Sequence, residues 1–225
     1  MRTLLALAFI LILSVTFITA SFLYLDRLIA SFFYYYPFPV LQDVMQLVSY
    51  PANPVFVLIF GLAFIIAGIA GNYRNTLLPA HSWIFWGVSI ILSFVSVVLL
   101  KNIFCRTRPE MFVEEGVYGF AFFCFDGTAH SFPSGHAAMA TALALPAMLI
   151  FRSPWLNILS LFFIAFIAFS RVVTTEHFLS DVLAAVVLAV TIVFIFYVIF
   201  DIFFADNEPE KQEVQEETEN DTEHE

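Results

Sequence analysis

Charge is what this 225-residue chain has least of: 12% of its residues are charged, against about 25% in an ordinary soluble domain. With 61% hydrophobic residues and a mean hydropathy of +0.90, that deficit excludes a water-soluble globular fold and indicates a membrane protein. Bases are scarce too. Nine Lys and Arg residues in the whole chain leave no basic surface for nucleic acid, so no such partner is expected. The chain has two cysteines, Cys105 and Cys124, which excludes a disulfide-dense scaffold. No internal repeat is evident.

The formal charge of −10 is concentrated at one end. After Ala205 the tail holds ten acids and one Lys, leaving nine acids and eight bases elsewhere. A self-repelling segment without apolar periodicity is expected to be a disordered, solvated extension over residues 205–225, behind a membrane domain at residues 1–204.

What the chain has in quantity is long apolar runs. A spanning helix needs about 20 mainly apolar residues, and six segments come close: residues 3–25, 55–71, 82–100, 137–151, 155–170 and 182–200. The expectation is an all-α bundle of six transmembrane helices. The fourth and fifth runs are short and extend into polar residues at their ends, and Pro146 is a candidate kink in the fourth. Arg2 before an apolar run resembles a signal peptide, but the run continues through Phe22, Leu23 and Leu25, beyond the 7–15 residues expected of one, so an uncleaved first helix is expected. Between the first two spans, Asp26 to Asn53 is read as a connection with Tyr34, Tyr35 and Tyr36 at the membrane interface and a short surface helix.

Helices that alternate in direction bring particular ends together. Lys101 and Arg108 follow the third span, Ser134, Gly135 and His136 begin the fourth, Arg171 ends the fifth, and His177 and Asp181 begin the sixth. Parity alone puts these residues at one bilayer edge. Orientation is less direct. With both termini inside, Arg2, Arg74, Arg152 and Lys211 are cytoplasmic, and Arg27, Lys101, Arg106, Arg108 and Arg171 lie opposite. Setting Lys101, Arg108 and Arg171 aside as phosphate ligands turns four against five into four against two, in line with positive-inside bias.

Each residue type at that edge has a chemical use. His177 and Asp181 are spaced i, i+4, which on a helix puts both on one face, so the carboxylate can orient one imidazole nitrogen and leave the other free. Ser134 is a helix cap or hydroxyl ligand, Gly135 lets an anion approach the free amides, and His136 is a candidate general acid. Lys101, Arg108 and Arg171 supply positive charge that matches phosphate oxygens. Taken singly, these residues are also a surface pair, a capped helix and headgroup-seeking cations; their convergence argues for a phosphoryl-transfer site.

The motifs carry a resemblance. Lys101 through Arg108-Pro109 reads K-x6-R-P, Pro133 to His136 reads P-S-G-H, and Ser170-Arg171 through His177 to Asp181 reads S-R-x5-H-x3-D. Complete and in order, they resemble the type 2 phosphatidic acid phosphatase superfamily, which includes the vanadium haloperoxidases, over about residues 50–200. The resemblance implies an integral membrane lipid phosphatase in which His177 attacks phosphorus, Asp181 orients it, His136 protonates the leaving oxygen, and Lys101, Arg108, Ser134, Gly135 and Arg171 hold the phosphoryl group. It implies no metal or other cofactor, in keeping with one clear carboxylate rather than an acidic cluster. The phosphorylated substrate would reach the site from the bilayer: undecaprenyl diphosphate, a lipid A phosphate, phosphatidylglycerol phosphate or phosphatidate. Phosphotransfer to a non-water acceptor and membrane transport are the competing readings.

Around the motifs, Glu176 either meets an incoming substrate or faces solvent, and Glu110, Glu114 and Glu115 share that ambiguity. His130 and Asp126 are read as loop residues, with contact to a headgroup as the alternative. A Cys105–Cys124 disulfide in an oxidising compartment would brace the two phosphate-binding segments.

Overall fold

The computed structural model describes residues 2–70, 78–125 and 130–205. The acidic tail after 205, Arg74, Asp126 and Lys211 lie outside the described residues. Among those described, regular structure is helical apart from one isolated bridge between Arg106 and Phe120.

The chain opens with α1 (Arg2–Ala20), one π-helical turn (Ser21–Leu25) and α2 (Asp26–Tyr35), which form one continuous rod. The expected break at Asp26 is therefore corrected. Helical bonding continues through the wider turn, where the Asp26 amide donates to the Ser21 carbonyl, and Asp26 is fully buried. α3 (Pro39–Ser49) is amphipathic, with Met45 and Ser49 buried and Val40 and Leu47 exposed. A 3-10 turn (Tyr50–Ala52) joins it to α4 (Pro54–Ala70). There follow α5 (Ala80–Phe104), the short α6 (Pro109–Glu115), α7 (Gly135–Phe151), α8 (Pro154–Val173) and α9 (Leu179–Ala205).

Among the described residues, five segments are long and apolar enough to cross a membrane: Phe9–Tyr35, Pro39–Ala70, Ala80–Phe104, Pro154–Val173 and Leu179–Ile202. The sixth, Gly135–Phe151, is apolar but has 17 residues, about 26 Å of helix against a hydrocarbon core of about 30 Å. It is also the most enclosed. Its run of alanines, with Ala137, Ala138, Ala140 and Ala142 wholly buried, lets α5, α8 and α9 close around it. α9 meets it along Val182, Ala185 and Ala189, a stripe at helical spacing. α4 and α5 cross closely at Gly61 and Gly87, where a Cβ on Gly87 would collide with the Gly61 carbonyl. Lipid-facing residues such as Phe9, Ile12, Ile66 and Phe162 are each more than half exposed within the protein, as expected where the surrounding solvent is hydrocarbon.

This architecture places the motif residues of α5, α7, α8 and α9 at one end of the bundle.

Candidate active site

α5 ends at Cys105, whose left-handed φ of 46° turns the chain out of the helix. The next residues pair with a returning segment: the Ala121 amide donates to Cys105 O at 3.1 Å and the Phe123 amide to Ile103 O at 2.9 Å. Cys105 and Cys124 are disulfide-bonded across this pairing, with Cα atoms 5.7 Å apart. Arg108 then caps α6 just before Pro109. Lys101, still on α5, donates its Nζ to the His130 carbonyl, tying α5 to the segment before α7.

α7 begins where Ser134 caps it by accepting from the Ala137 amide at 3.5 Å. The Ser134 amide donates to the Asp181 carbonyl at 3.2 Å, joining the starts of α7 and α9. Gly135 is the first helical residue, and a Cβ there would lie 3.0 Å from Pro54. His136 follows and is half-buried.

After α8 the chain reverses in a turn over residues 174–178. The amides of Glu176 and His177 both donate to Arg171 O at 3.2 Å, and Thr175 has a φ of 55°. A β-branched residue in that region is strained, a state that persists only where surrounding contacts enforce it. His177 therefore sits in a turn two residues before α9, which corrects the helical expectation. The i, i+4 proximity survives for another reason. Asp181 folds back over the start of α9 and accepts from the Phe178 amide at 2.9 Å, the reciprocal half of a capping box.

Asp181 Oδ2 lies 3.8 Å from His177 Nδ1, beyond direct hydrogen bonding. Ser131 stands between them: its Oγ donates to Asp181 Oδ2 at 2.6 Å and is 3.5 Å from His177 Nδ1. His177 is 6% exposed and Asp181 0%. Burial pushes the His177 imidazole down to about 4; Asp181 pulls it back, and Lys101 and Arg171 add to the lowering. The ring is thus neutral at ordinary pH.

The remaining cations are held by partners that the motifs did not announce. Arg171, 3% exposed, donates from Nη1 to Ser49 Oγ at 2.8 Å and Gln46 Oε1 at 3.1 Å, both on α3. Its Nε is buried with no acceptor among the described residues. Glu176 is neither a helix-start acid nor solvent-facing alone. It pairs with Arg108 at 2.5 Å and lies 3.7 Å from Arg171, spanning two of the expected phosphate ligands. Glu114 accepts from Tyr34 at 2.7 Å, linking α6 to α2.

Sequence reasoning missed Arg106 and Asp26. Arg106 is fully buried: Nη1 donates to Asp181 Oδ1 and to Ser180 Oγ (2.6 Å), and Nη2 to Asp26 Oδ2 (2.7 Å) and Tyr118 Oη (3.0 Å). Phe178, Phe22, Tyr118 and Phe120 surround the guanidinium, with ring centroids 4.4–5.4 Å away. Burial opposes its charge, but Asp181 and Asp26 outweigh this and raise its pKa. Asp26 also accepts from the Ser180 amide at 2.9 Å and from its hydroxyl. The available signal was an acid directly against the end of the first apolar run, since ionisable residues at spans are costly and usually partnered.

Fold and motif end together define an integral membrane helical protein with paired histidines and clustered arginines at one edge of the bundle. A sequence profile of the PAP2 superfamily matches residues 82–204, more than half of the chain. The chain belongs to that superfamily. Among curated proteins it is similar to lipid A 1-phosphatases of Porphyromonas gingivalis (32% identical over 106 residues, 46% of this chain and 22% of that protein) and Rhizobium johnstonii (30% over 107 residues, 47% and 43%). The chain thus aligns with less than half the length of these relatives. Among solved structures it resembles a transmembrane PAP2-type phosphatidylglycerolphosphate phosphatase of Bacillus subtilis, with a TM-score of 0.55 at 22% identity over 86% of this chain and 92% of that one.

Proposed function

We propose that this protein is a membrane phosphatase that removes phosphate from a lipid through a phosphohistidine on His177. The observation that carries the reading is a buried imidazole whose Nδ1 faces Ser131 and Asp181 and whose backbone amide donates to the Arg171 carbonyl, next to the Glu176 that pairs with Arg108.

With Nδ1 turned toward Ser131 and Asp181, Nε2 is the attacking atom. It forms the N–P bond as the bond from phosphorus to the leaving oxygen breaks, and His136 gives that oxygen its proton. Water then attacks phosphorus, His136 takes a proton from it, and orthophosphate leaves. Lys101, Arg108 and Arg171, with the Ser134 hydroxyl and the Gly135 amide, stabilise the phosphoryl oxygens, so the mechanism draws its positive charge from the protein and needs no metal. The unpartnered Arg171 Nε is a donor that a phosphoryl oxygen would satisfy.

The relatives' names favour a lipid A phosphate among the four candidate lipids. Both termini are assigned to the cytoplasm of a bacterial inner membrane and the site to the opposite face, where an oxidising compartment suits the Cys105–Cys124 bond. The catalytic unit is residues 1–204, followed by the acidic tail.

The test is phosphate release from undecaprenyl diphosphate, lipid A, phosphatidylglycerol phosphate and phosphatidate in defined detergent, by wild type and His177→Ala. One lipid should be preferred, and the variant should lose at least about 10³-fold in rate. Undiminished release by the variant would remove His177 as nucleophile.

A further inference from the structure

We infer that Arg106 and Asp26 are positioning residues for Asp181 and, through it, for His177, so that the N-terminal helix completes the active site. This rests on the reading of His177 as nucleophile. Asp26 lies outside the 82–204 region that defines the superfamily in this chain.

The two carboxylate oxygens of Asp181 are held by different groups. Oδ2, the one facing His177, is held by the Phe178 amide and the Ser131 hydroxyl. Oδ1 is held by Arg106 Nη1. With both oxygens held, the carboxylate plane is fixed, and so is the direction from which it meets the imidazole. Arg106 is fixed in turn through Nη2, which Asp26 and Tyr118 receive, while the Tyr118 hydroxyl donates to the Phe22 carbonyl at 2.6 Å. Four rings exclude water from the guanidinium.

The charge pattern makes the arrangement interdependent. One guanidinium serves two fully buried carboxylates, which also share the Ser180 side chain: it receives Arg106 and donates to Asp26. Without Arg106 two acids would face each other with no counter-ion in a sealed site, and both cannot stay ionised there. The other charged and titratable groups near Asp181 are His177 and Lys101, with Tyr118 beside the guanidinium. His177 is neutral at ordinary pH, and Lys101 is committed to the His130 carbonyl. Neither replaces the Arg106 Nη1 donor on Oδ1.

A simple structural pin would cost folded protein and leave the surviving fraction with normal kinetics. A positioning role instead lowers kcat at constant KM, and it permits a charge-balanced rescue. The test uses full-length protein in detergent, with p-nitrophenyl phosphate as probe and the folded fraction measured by size exclusion. Arg106→Met should lower kcat about 100-fold with KM within about twofold, and Asp26→Asn about fivefold. The double variant leaves Asp181 as the sole buried acid of the cluster and should regain about tenfold over Arg106→Met.

Equal impairment of the double and single Arg106 variants, or losses that only track the folded fraction, would overturn the inference. If Arg106→Met does not fold, Asp26→Asn and Arg106→Lys decide: lower kcat at unchanged KM supports the role, and wild-type kcat ends it. Activity retained by His177→Ala would sink the underlying reading; an inactive His177→Ala beside normal Arg106 and Asp26 variants would sink this inference alone.

Discussion

Two arginine–carboxylate clusters flank the same histidine, and they differ in their access to water. Asp26, Arg106 and Asp181 are all 0% exposed and enclosed by aromatic rings. In the other cluster the Arg108 and Glu176 side chains are 39% and 33% exposed, and only Arg171 is buried. The chemical groups are identical, yet their uses diverge. Breaking a sealed pair strands a charge and costs about 3–5 kcal/mol, so such a cluster stays assembled. An exposed pair is worth about 0–1 kcal/mol, so a phosphate can displace it. The sealed cluster therefore suits orientation, and the open one suits a site whose occupant must come and go.

The largest expected effect is on the sealed side. Asp181→Asn should lower kcat about 10³-fold or more while KM for p-nitrophenyl phosphate changes by less than about threefold, as for loss of an orienting carboxylate elsewhere. It should also leave a mark in pH. On the proposed reading His177 attacks as the neutral imidazole, so phosphoenzyme formation in the wild type should fall off on the acid side near the His177 value of about 4. Asp181 is among the groups that raise that value, so its replacement should move the acid limb still lower. A variant within tenfold of wild type, with its acid limb in place, would reduce the sealed cluster to architecture.

An intermediate effect is expected on the open side. Glu176 bridges Arg108 and Arg171, and if these arginines hold the substrate's phosphate, as proposed, it competes for them. Glu176→Gln should tighten competitive inhibition by orthophosphate about fivefold, near the upper worth of an exposed pair. Added salt should narrow the difference, because exposed charges are screened. Weaker inhibition in the variant would make Glu176 a helper in binding rather than a competitor.

How far this contrast could be read from sequence depended on the kind of interaction. Long apolar runs located the spans, and alternating direction brought Lys101, His136, Arg171 and His177 to one end, because both follow from local composition and parity. The shortness of Gly135–Phe151 was visible too, bounded as it is by Ser134 and Arg152. Contacts between distant segments were not visible. Asp26 meets Ser180 from 154 positions away, and Gln46 and Ser49 meet Arg171 across more than 120; no periodicity encodes such pairings. His177 failed the helical expectation because Thr175 takes a left-handed conformation that its side chain gives no reason to anticipate. The pair expected on one helix face meets instead because Asp181 caps α9.

The smallest effect on turnover should come from the bond that lies between the clusters. Cys105–Cys124 closes a segment of 19-residue separation that carries Arg106 toward the sealed cluster and Arg108 toward the open one. Removing the link frees the unfolded chain by about 3 kcal/mol in the loop-entropy account, so the Cys105→Ser/Cys124→Ser variant should melt on the order of 5–10 °C lower. Near room temperature the two arginines should respond differently. Arg106 is held by four side-chain hydrogen bonds and by a backbone carbonyl that accepts from Ser131 at 3.0 Å; none of these requires the disulfide, so kcat should stay within about twofold. Arg108 has one partly exposed side-chain partner among the described residues and depends on the loop for its position, so KM should rise about two- to threefold. Steady-state kinetics of the double serine variant beside oxidised wild type would separate the two. A fall in kcat at constant KM would show that the sealed cluster depends on the disulfide, and the contrast between a self-held orienting cluster and a displaceable binding cluster would then fail at Arg106.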